Sequence, residues 1–487
     1  MAAVISKSKY IAGLQCPRLL WFHYNDREAI PPPGAARQAI FDTGHAVGDL
    51  AKTLFPGGLE VAYSRDLAET TRRTAELLAQ RKPIFEASFA VDGCYCRADI
   101  LVPADGGAWD LYEVKSGTRL KDENVADVAF QTHAIERCDV VLDRLFLMHV
   151  DNTYVRRGEI DPARLLVAED ITDRARAVVP EVAGNVARLL AVIEGECPAT
   201  GIGAHCSKPY ACDLWPACSA FLPEHHVLEL NYIRKTEAFR LLAGGRAAIV
   251  DVPASELNAN QRVQQEAIRT GTAHVNARRI RGWLAEIAYP LYCLDFETMN
   301  PAIPLLDGTR PYQQIPFQMS LHVIERPGAT ARHVAYLAGS PEDPRPGLIT
   351  ALKAIGPSGT ILAWNMSFEQ RVIRELAAAF PAEEAFLTAL GSRFRDLMTP
   401  FRSFWFHDVR QHGSCSLKDV LPVLTGASYD GMAVADGGQA MREYQRVVFG
   451  DVDPGEKARV LQALKEYCEQ DTRALVDVLE ALETLAP

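Results

Sequence analysis

Residues 289–297 read Tyr-Pro-Leu-Tyr-Cys-Leu-Asp-Phe-Glu, an apolar run that ends in two carboxylates. The run from Tyr289 to Leu294 predicts a short buried strand. Side chains two apart on a strand point the same way, so Asp295 and Glu297 leave one face together, less than ~7 Å apart. Like charges held that close repel each other unless a cation lies between them. Oxygen ligands suit Mg²⁺ or Mn²⁺, and a pair of such ions is typical of phosphodiester cleavage.

Two later segments add acidic residues to this pattern. Residues 361–369, Ile-Leu-Ala-Trp-Asn-Met-Ser-Phe-Glu, predict a strand and a turn, followed by a helix that begins near Glu369. A long amphipathic helix over about 455–484 places Tyr467 and Asp471, four residues apart, on one face. A single Asp-x-Glu is equally consistent with a solvated strand end. Three such segments in this order favour a metal site over a solvated strand end.

In this order the three segments resemble those of the DnaQ-like (DEDD) 3′–5′ exonucleases, in the subgroup whose third motif carries a tyrosine. The resemblance covers about 286–487 and implies an RNase H-like fold. It departs from the family at Glu369, where aspartate is usual. It implies that Tyr467 orients the attacking water, and that two Mg²⁺ ions are held by Asp295, Glu297, Glu369 and Asp471.

A second group of charged residues lies far upstream. Residues 94–102 and 108–115 predict two strands, joined by a turn at Asp105-Gly-Gly107. Glu113 and Lys115 share one face of the second strand, and the hairpin brings Asp99 to the same end. Two acids and a lysine suit metal-assisted hydrolysis, in which the acids bind Mg²⁺ and the ammonium stabilises developing negative charge. The alternative is an exposed hairpin with a Glu/Lys pair.

The cysteines indicate a metal rather than disulfides. Eleven are scattered through a chain without a secretory signal, which predicts a reducing, cytoplasmic location. Cys206, Cys212 and Cys218 are each six residues from the next. Cys16 is the preferred fourth ligand, and His205 is the alternative, in which case zinc is expected. Four thiolates favour an iron–sulfur cluster or zinc.

This half resembles the RecB-like PD-(D/E)XK nucleases, in the iron–sulfur branch that includes AddB and the CRISPR-associated exonuclease. The resemblance covers about 1–225. It implies that a 4Fe–4S cluster is held by Cys16, Cys206, Cys212 and Cys218. It also implies that the nuclease motif consists of Asp99, Glu113, Lys115 and Gln131, with Asp99 and Glu113 as metal ligands. It departs from the family at Gly48, where the metal-binding histidine belongs.

Composition limits the class of protein. The chain has 487 residues, 48% of them hydrophobic, which allows two or three domains with real cores. We predict an α/β multidomain protein with a PD-(D/E)XK domain over 1–225, a helical connector over 226–285 and an exonuclease domain over 286–487. The net charge of −11 excludes a scaffold that coats long duplexes, because such proteins carry a basic surface. It is compatible with an enzyme that grips a strand end.

The function expected from these patterns is a cytoplasmic, metal-dependent nuclease. The expected partner is single-stranded or end-containing DNA in preference to RNA, with no membrane association. DNA repair or defence against foreign DNA is implied only by the two families. Two alternatives stay open. The N-terminal half could hold nucleic acid without cutting it, or the whole chain could be a non-catalytic regulatory factor.

Overall fold

The structure, a computed structural model, describes residues 3–487. Its contacts divide the chain into two compact units. Unit 1 comprises the chain up to Phe221 together with Pro301–Tyr312, and unit 2 comprises Leu222–Asn300 and Gln313–Pro487. Each unit combines helices with a mixed sheet, which confirms the predicted α/β class. No helix within residues 3–487 is long and apolar enough to cross a membrane.

Unit 1 is built on a seven-stranded sheet. Its strands are β1 (Ile5–Ser6), β2 (Leu59–Glu60), β3 (Ile84–Val91), β4 (Cys94–Pro103), β5 (Trp109–Lys115), β6 (Leu142–Val150) and β7 (Leu166–Asp170). Its helices are α1 (Lys7–Gln15), α2 (Pro17–Asn25), α3 (Ala35–Lys52), α4 (Leu67–Leu78), α5 (Asp122–Glu136), α6 (Pro162–Leu165), α7 (Thr172–Glu194) and α8 (Trp215–Ser219).

The centre of this sheet carries the predicted hairpin. Strand β4 runs antiparallel to both β3 and β5, and β4 and β5 are joined by a short 3₁₀ turn at Asp105–Gly107. The prediction of two strands and a turn is therefore confirmed. Strand β6 lies parallel to β5, with α5 in the connection between them. Strand β1 pairs in parallel with β4, so that Ile5 lies opposite Cys94 and α1 begins beside the sheet.

The segment 301–312 belongs to unit 1 although it connects two strands of unit 2. Arg156 donates hydrogen bonds from Nη1 to the carbonyls of Pro304 and Leu305, at 2.9 and 2.8 Å. Ala302 is buried in an apolar cluster with strand residues of unit 1 such as Phe85 and Met148. No periodicity in the sequence marks this segment, because its apolar residues contact distant parts of the chain rather than one another.

Unit 2 contains a five-stranded sheet and a separate two-stranded pair. Its strands are β8 (His274–Val275), β9 (Leu291–Met299), β10 (Ile315–Ile324), β11 (Arg332–Leu337), β12 (Thr360–Ala363), β13 (Phe394–Asp396) and β14 (Phe406–His407). Its helices are α9 (Lys235–Ala243), α10 (Ala259–Thr270), α11 (Ala277–Leu284), α12 (Arg345–Leu352), α13 (Ser367–Ala379), α14 (Glu384–Gly391), α15 (Thr399–Arg402), α16 (Leu417–Thr425), α17 (Gly437–Phe449) and α18 (Pro454–Leu485).

The five strands are ordered β11-β10-β9-β12-β13. The first three alternate in direction, whereas β12 and β13 run parallel to β9. The strand predicted around 289–297 is confirmed, and it extends slightly further, because β9 spans Leu291–Met299 and includes both Asp295 and Glu297. Strand β10 pairs with it from Leu291 to Met299 and is itself buried throughout, so the carboxylates lie inside the sheet rather than at its edge.

The other elements predicted for this half are confirmed. A strand, a turn and a helix cover 360–379, and Glu369 lies in the first turn of α13. Helix α18 spans the predicted range and presents buried residues at helical spacing. Residues 226–285 contain α9, α10, α11 and β8, and they belong to unit 2. The three predicted domains themselves stay a prediction.

Candidate active site

Three carboxylates of unit 2 meet on the sheet. Asp295, Glu297 and Asp471 each offer a ligand oxygen, and these oxygens all lie within 4.8 Å of one another. Strand β9 supplies the first two, on one face as predicted, and α18 supplies the third. Helix α18 is held against the sheet by Gln318, whose Nε2 donates to the carbonyl of Leu464 at 2.7 Å. The pairing of a strand with a helix 170 residues later thus builds an oxygen-only site.

Glu369 approaches the same site from α13 but lies outside the group of three. Its side chain is buried, at 3% exposure, and its Oε2 atom has no hydrogen-bond partner in the described part of the chain. Its charge contributes to raising the pKa of Asp295, so the two carboxyls are close in space. The turn before α13 is fixed by Asp396, which accepts a hydrogen bond from the backbone N–H of Asn365 at 3.0 Å.

The four carboxyls hold protons more tightly than ordinary acids. Burial and the charges of Asp471, Glu297 and Glu369 raise the pKa of Asp295 well above its usual value. Burial raises the pKa of Glu297 to about 8, with Asp471 adding to the shift, and it also raises the pKa of Glu369 to about 8. Burial raises the pKa of Asp471 to about 6. The protein therefore gathers acidic groups in a buried place, where all of them become ionised near neutral pH only when a bound cation compensates their charge.

Lys418, Tyr429 and Tyr467 surround Asp471. Tyr429 donates its hydroxyl hydrogen to Oδ1 of Asp471 at 2.7 Å. The ammonium of Lys418 lies 5.4 Å from the ring centroids of both tyrosines, and its charge lowers the pKa of Asp471 and of Glu297. Burial raises the pKa of the Tyr467 hydroxyl, so this group is neutral and can donate a hydrogen bond. Tyr467 lies beside Asp471, as its four-residue spacing on α18 predicted. No role was predicted for Lys418 or Tyr429, because neither residue is close in sequence to Tyr467 and Asp471.

An open cavity of about 460 Å³ adjoins the carboxylates. Its walls include the aromatic side chains of Trp364, Phe368 and Tyr467, and the backbone of Gly437. A Cβ atom at Gly437 would lie 3.3 Å from Oε2 of Glu297, so glycine there keeps the approach to this carboxylate open. The cavity combines a charged end with flat apolar surfaces, which suits a ligand that has both phosphates and rings.

The donor set fits Mg²⁺ or Mn²⁺. All four acids offer oxygen, the ligand type that hard divalent cations prefer. The unpartnered Oε2 of Glu369 is a buried acceptor without a donor, which an ion would satisfy. Asp295, Glu297 and Asp471 would hold one ion, and Glu369 together with Asp295 would contribute to a second.

The raised pKa values predict a pH dependence of metal binding. Bound ions need ionised carboxylates, and Glu297 and Glu369 still carry protons below about pH 8. Raising the pH removes this competition, so Mn²⁺ affinity should increase between pH 6 and pH 8 by up to about tenfold per pH unit for each proton displaced. Calorimetric titration in two buffers of different ionisation enthalpy would measure the released protons. A constant affinity with no proton release would contradict the prediction.

The N-terminal residues predicted as a nuclease motif also come together. Glu113 is 0% exposed and accepts hydrogen bonds from Lys115 at 2.5 Å and from Gln131 at 2.7 Å. Asp99 lies on the adjacent strand and accepts a hydrogen bond from the backbone N–H of Val114 at 2.8 Å. Gln131 projects from α5, as the motif requires. The four residues Asp99, Glu113, Lys115 and Gln131 therefore form one buried polar cluster.

Lys7 occupies the space between the two acids of this cluster. Its Nζ atom lies 2.9 and 3.0 Å from the two carboxylate oxygens of Glu113 and 3.3 Å from Oδ1 of Asp99. Burial opposes its charge, but the acids around it raise its pKa well above the usual value. An ammonium thus stands where the motif would place a divalent cation. Pairing of β1 with β4 brings Lys7 here, and nothing local distinguishes it from the nearby Lys9.

Asp127 is a further acid of this cluster. Its Oδ2 accepts a hydrogen bond from Lys115 at 2.8 Å, and its Oδ1 accepts one from Gln131 at 3.3 Å. The spacing of four between Asp127 and Gln131 on α5 could have indicated it, because both then share one helical face. Burial and the charge of Glu113 raise the pKa of Asp99 to about 6, so Asp99 takes up a proton at a higher pH than an ordinary aspartate does.

The four predicted cysteine ligands share one neighbourhood of unit 1. Cys16 is buried beside Cys212 and Cys218 in a small apolar cluster, and Cys212 donates its backbone N–H to the carbonyl of Cys206 at 2.9 Å. Burial and the neighbouring thiols raise the pKa of Cys212 to about 11. Within residues 3–487, these sulfurs do not form a group of three or more all within 4.8 Å.

Part of this site matches a known family model. Residues 292–416 match the model described as "Domain of unknown function (DUF2779)". No curated protein matches the chain. The matched span is about a quarter of the chain and contains Asp295, Glu297 and Glu369, but it ends before Tyr467 and Asp471. The family description names no reaction and no ligand, so only the geometry of the site bears on its function.

Proposed function

We propose that this protein is a metal-dependent nuclease whose catalytic centre is the carboxylate site of unit 2. The observation that carries the proposal is the convergence of Asp295, Glu297 and Asp471 within 4.8 Å, with the buried, unpartnered Glu369 close by. The strand order supports the resemblance to the DnaQ-like exonucleases, since an antiparallel trio followed by two parallel strands is the arrangement that an RNase H-like fold implies.

The side chains have distinct roles in this proposal. When bound, two Mg²⁺ or Mn²⁺ ions would polarise the scissile phosphate and make the attacking water more acidic. Asp295, Glu297, Glu369 and Asp471 would hold them. Tyr467, neutral and next to Asp471, would donate a hydrogen bond that orients the water. Trp364 and Phe368 line the cavity, where a terminal base could stack.

A strand labelled at its 5′ end tests this function directly. Incubation of single-stranded DNA with the protein and Mn²⁺ or Mg²⁺ should give a ladder of products shortened from the 3′ end. A matched strand with a blocked 3′ terminus should resist degradation. RNA of the same sequence would show whether the protein prefers deoxyribose or ribose. Cleavage that is unaffected by the 3′ block, or that needs no divalent cation, would contradict the proposal.

A second candidate function concerns unit 1, and Lys7 favours it. Because an ammonium fills the position between Asp99 and Glu113, unit 1 would hold nucleic acid without cutting it. Cys16 and its three partners would carry a 4Fe–4S cluster that stabilises the unit, with zinc as the alternative. Metal-dependent cleavage that persists after loss of Asp295 would belong to the Asp99–Glu113 cluster and would rule this assignment out.

A further inference from the structure

A separate group of metal-type ligands lies elsewhere in unit 2. Ligand atoms of His225, Glu229 and His412 all lie within 4.8 Å of one another. Glu229 is the last residue of the 3₁₀ turn Val227–Glu229, His225 lies two residues before that turn, and His412 follows another 3₁₀ turn, Val409–Gln411. The three residues come from segments more than 180 positions apart in the sequence. The proposed nuclease chemistry uses none of them.

The backbone holds these two segments against each other. The N–H of Ile249 donates to the carbonyl of His225 at 3.0 Å, and Nε2 of Gln264 donates to the carbonyl of Glu229 at 2.9 Å. Gln264 is buried, at 2% exposure, so this contact is fixed from inside the unit. Gly413 lies so close that an added Cβ would be 2.4 Å from the carbonyl oxygen of Glu229. The ligand positions are therefore preorganised by surrounding structure.

His412 adopts a backbone conformation that its residue type disfavours. Its φ and ψ are 47° and 36°, in the left-handed region, which costs a residue with a Cβ about 1–2 kcal/mol. In this conformation Nδ1 lies 3.5 Å from Oε1 of Glu229, and the ring centroid lies 5.2 Å from that of His225. Such strain at a non-glycine residue is typical of functional positions.

Two polar atoms beside this group have no partner. Oε2 of Glu229 and Nδ1 of the adjacent His226 are both buried, and in residues 3–487 neither makes a hydrogen bond. A buried acceptor without a donor is unfavourable, and a carboxylate oxygen in particular attracts a cation. The ion pair between Glu229 and His412 uses Oε1 and leaves Oε2 free for a further ligand.

We propose that His225, Glu229 and His412 bind one zinc-class divalent ion. Two imidazoles and one carboxylate are a known zinc donor set and leave a fourth position for water or another ligand. Magnesium is disfavoured because it prefers oxygen ligands alone. The ion would join the segment around Glu229 to the turn around His412, and so stabilise unit 2 independently of the nuclease site.

A comparison of zinc binding by the wild type and by the His412→Asn variant tests this proposal. Asparagine tolerates the left-handed conformation, so the variant keeps the turn and loses only the imidazole. The full-length protein is treated with a chelator, given excess Mg²⁺ to fill the carboxylate site, and titrated with Zn²⁺. We expect the wild type to bind one equivalent more than the variant. Zinc at 100-fold above its Kd for this site should raise the melting temperature by about 5–10 °C more in the wild type than in the variant.

Two further variants make the result decisive. His45→Ala removes an exposed imidazole in unit 1 and should behave as the wild type does. Glu229→Gln keeps the shape of the side chain and should also lose one zinc equivalent. Equal zinc content and equal thermal shifts in wild type, His412→Asn and Glu229→Gln would overturn the proposal and leave a simple Glu–His ion pair.

Discussion

Replacing Asp295 by asparagine should reduce trimming of 3′ ends by about 10³-fold or more. Metal coordination contributes several kcal/mol of transition-state stabilisation, and each 1.4 kcal/mol is a factor of ten in rate. The charges of Asp471, Glu297 and Glu369 all raise the pKa of Asp295, so Asp295 interacts with each of the other three acids. Its loss should therefore disrupt both proposed ions. The measurement is the initial rate on 5′-labelled single-stranded DNA with Mn²⁺.

The same variant should be as stable as the metal-free wild type, or more stable. Asparagine removes a charge from a buried cluster of like charges while keeping the side-chain volume. Because the folded acids bind protons more tightly than unfolded ones, stability of the metal-free wild type should fall as the pH rises, and less so in the variant. Asp477→Asn, on the same helix as Asp471 but paired with Arg473, is the control and should keep its activity. Full activity of Asp295→Asn would refute the assignment of this site.

Replacing Glu113 by alanine should destabilise unit 1 by about 3 kcal/mol. Glu113 accepts hydrogen bonds from Lys7, Lys115 and Gln131, and its removal leaves the two lysines with Asp99 and Asp127 as their remaining acidic partners, so their charge is less well compensated. We expect the lower end of the usual range, because the side chains of Lys7 and Lys115 keep 25% and 31% exposure. Denaturant unfolding at pH 7 would measure the change. Glu169→Ala, on an exposed position of β7, is the control.

Adding Lys7→Met to Glu113→Ala should recover part of this loss. Lys7 loses its shortest ionic contacts in Glu113→Ala and keeps only Asp99, and the double variant removes this poorly compensated ammonium, so its free energy of unfolding should exceed the value expected from adding the two single effects. The ion pair predicts a pH dependence of the wild type as well. The lysines hold the pKa of Glu113 below its usual value despite burial, so its contribution is present at neutral pH and disappears as the pH falls. Additive effects would show that Lys7 and Glu113 are not coupled.

The sequence predicted local features well and long-range ones poorly. The period-two spacing of Asp295 and Glu297, the four-residue spacing of Tyr467 and Asp471, and the hairpin at Asp105 all follow from backbone geometry that neighbouring residues determine. The extension of β9 beyond Glu297 to Met299 could not be predicted, because it depends on pairing with β10 across the whole strand.

The same reason explains which site residues were missed. Lys7, Lys418 and Tyr429 reach their sites through tertiary packing, and each lies in a stretch of ordinary composition. Asp127 is different, because its helical spacing from Gln131 was readable but its role depends on Lys115. The cluster of His225, Glu229 and His412 combines two distant turns, and its most unusual feature, the left-handed His412, is a backbone property that composition does not encode.

The segment 301–312 affects any attempt to produce the two units as separate fragments, because it belongs to unit 1 but lies in the sequence between two parts of unit 2. A single cut in the gene between the units would leave these residues with the wrong fragment. The C-terminal piece would carry Ala302 and its neighbours uncovered, and the N-terminal piece would expose Phe85 and Met148, which they normally shield. Both fragments would then expose apolar surface and tend to aggregate. Point substitutions in the intact polypeptide are therefore the safer way to test the role proposed for each unit.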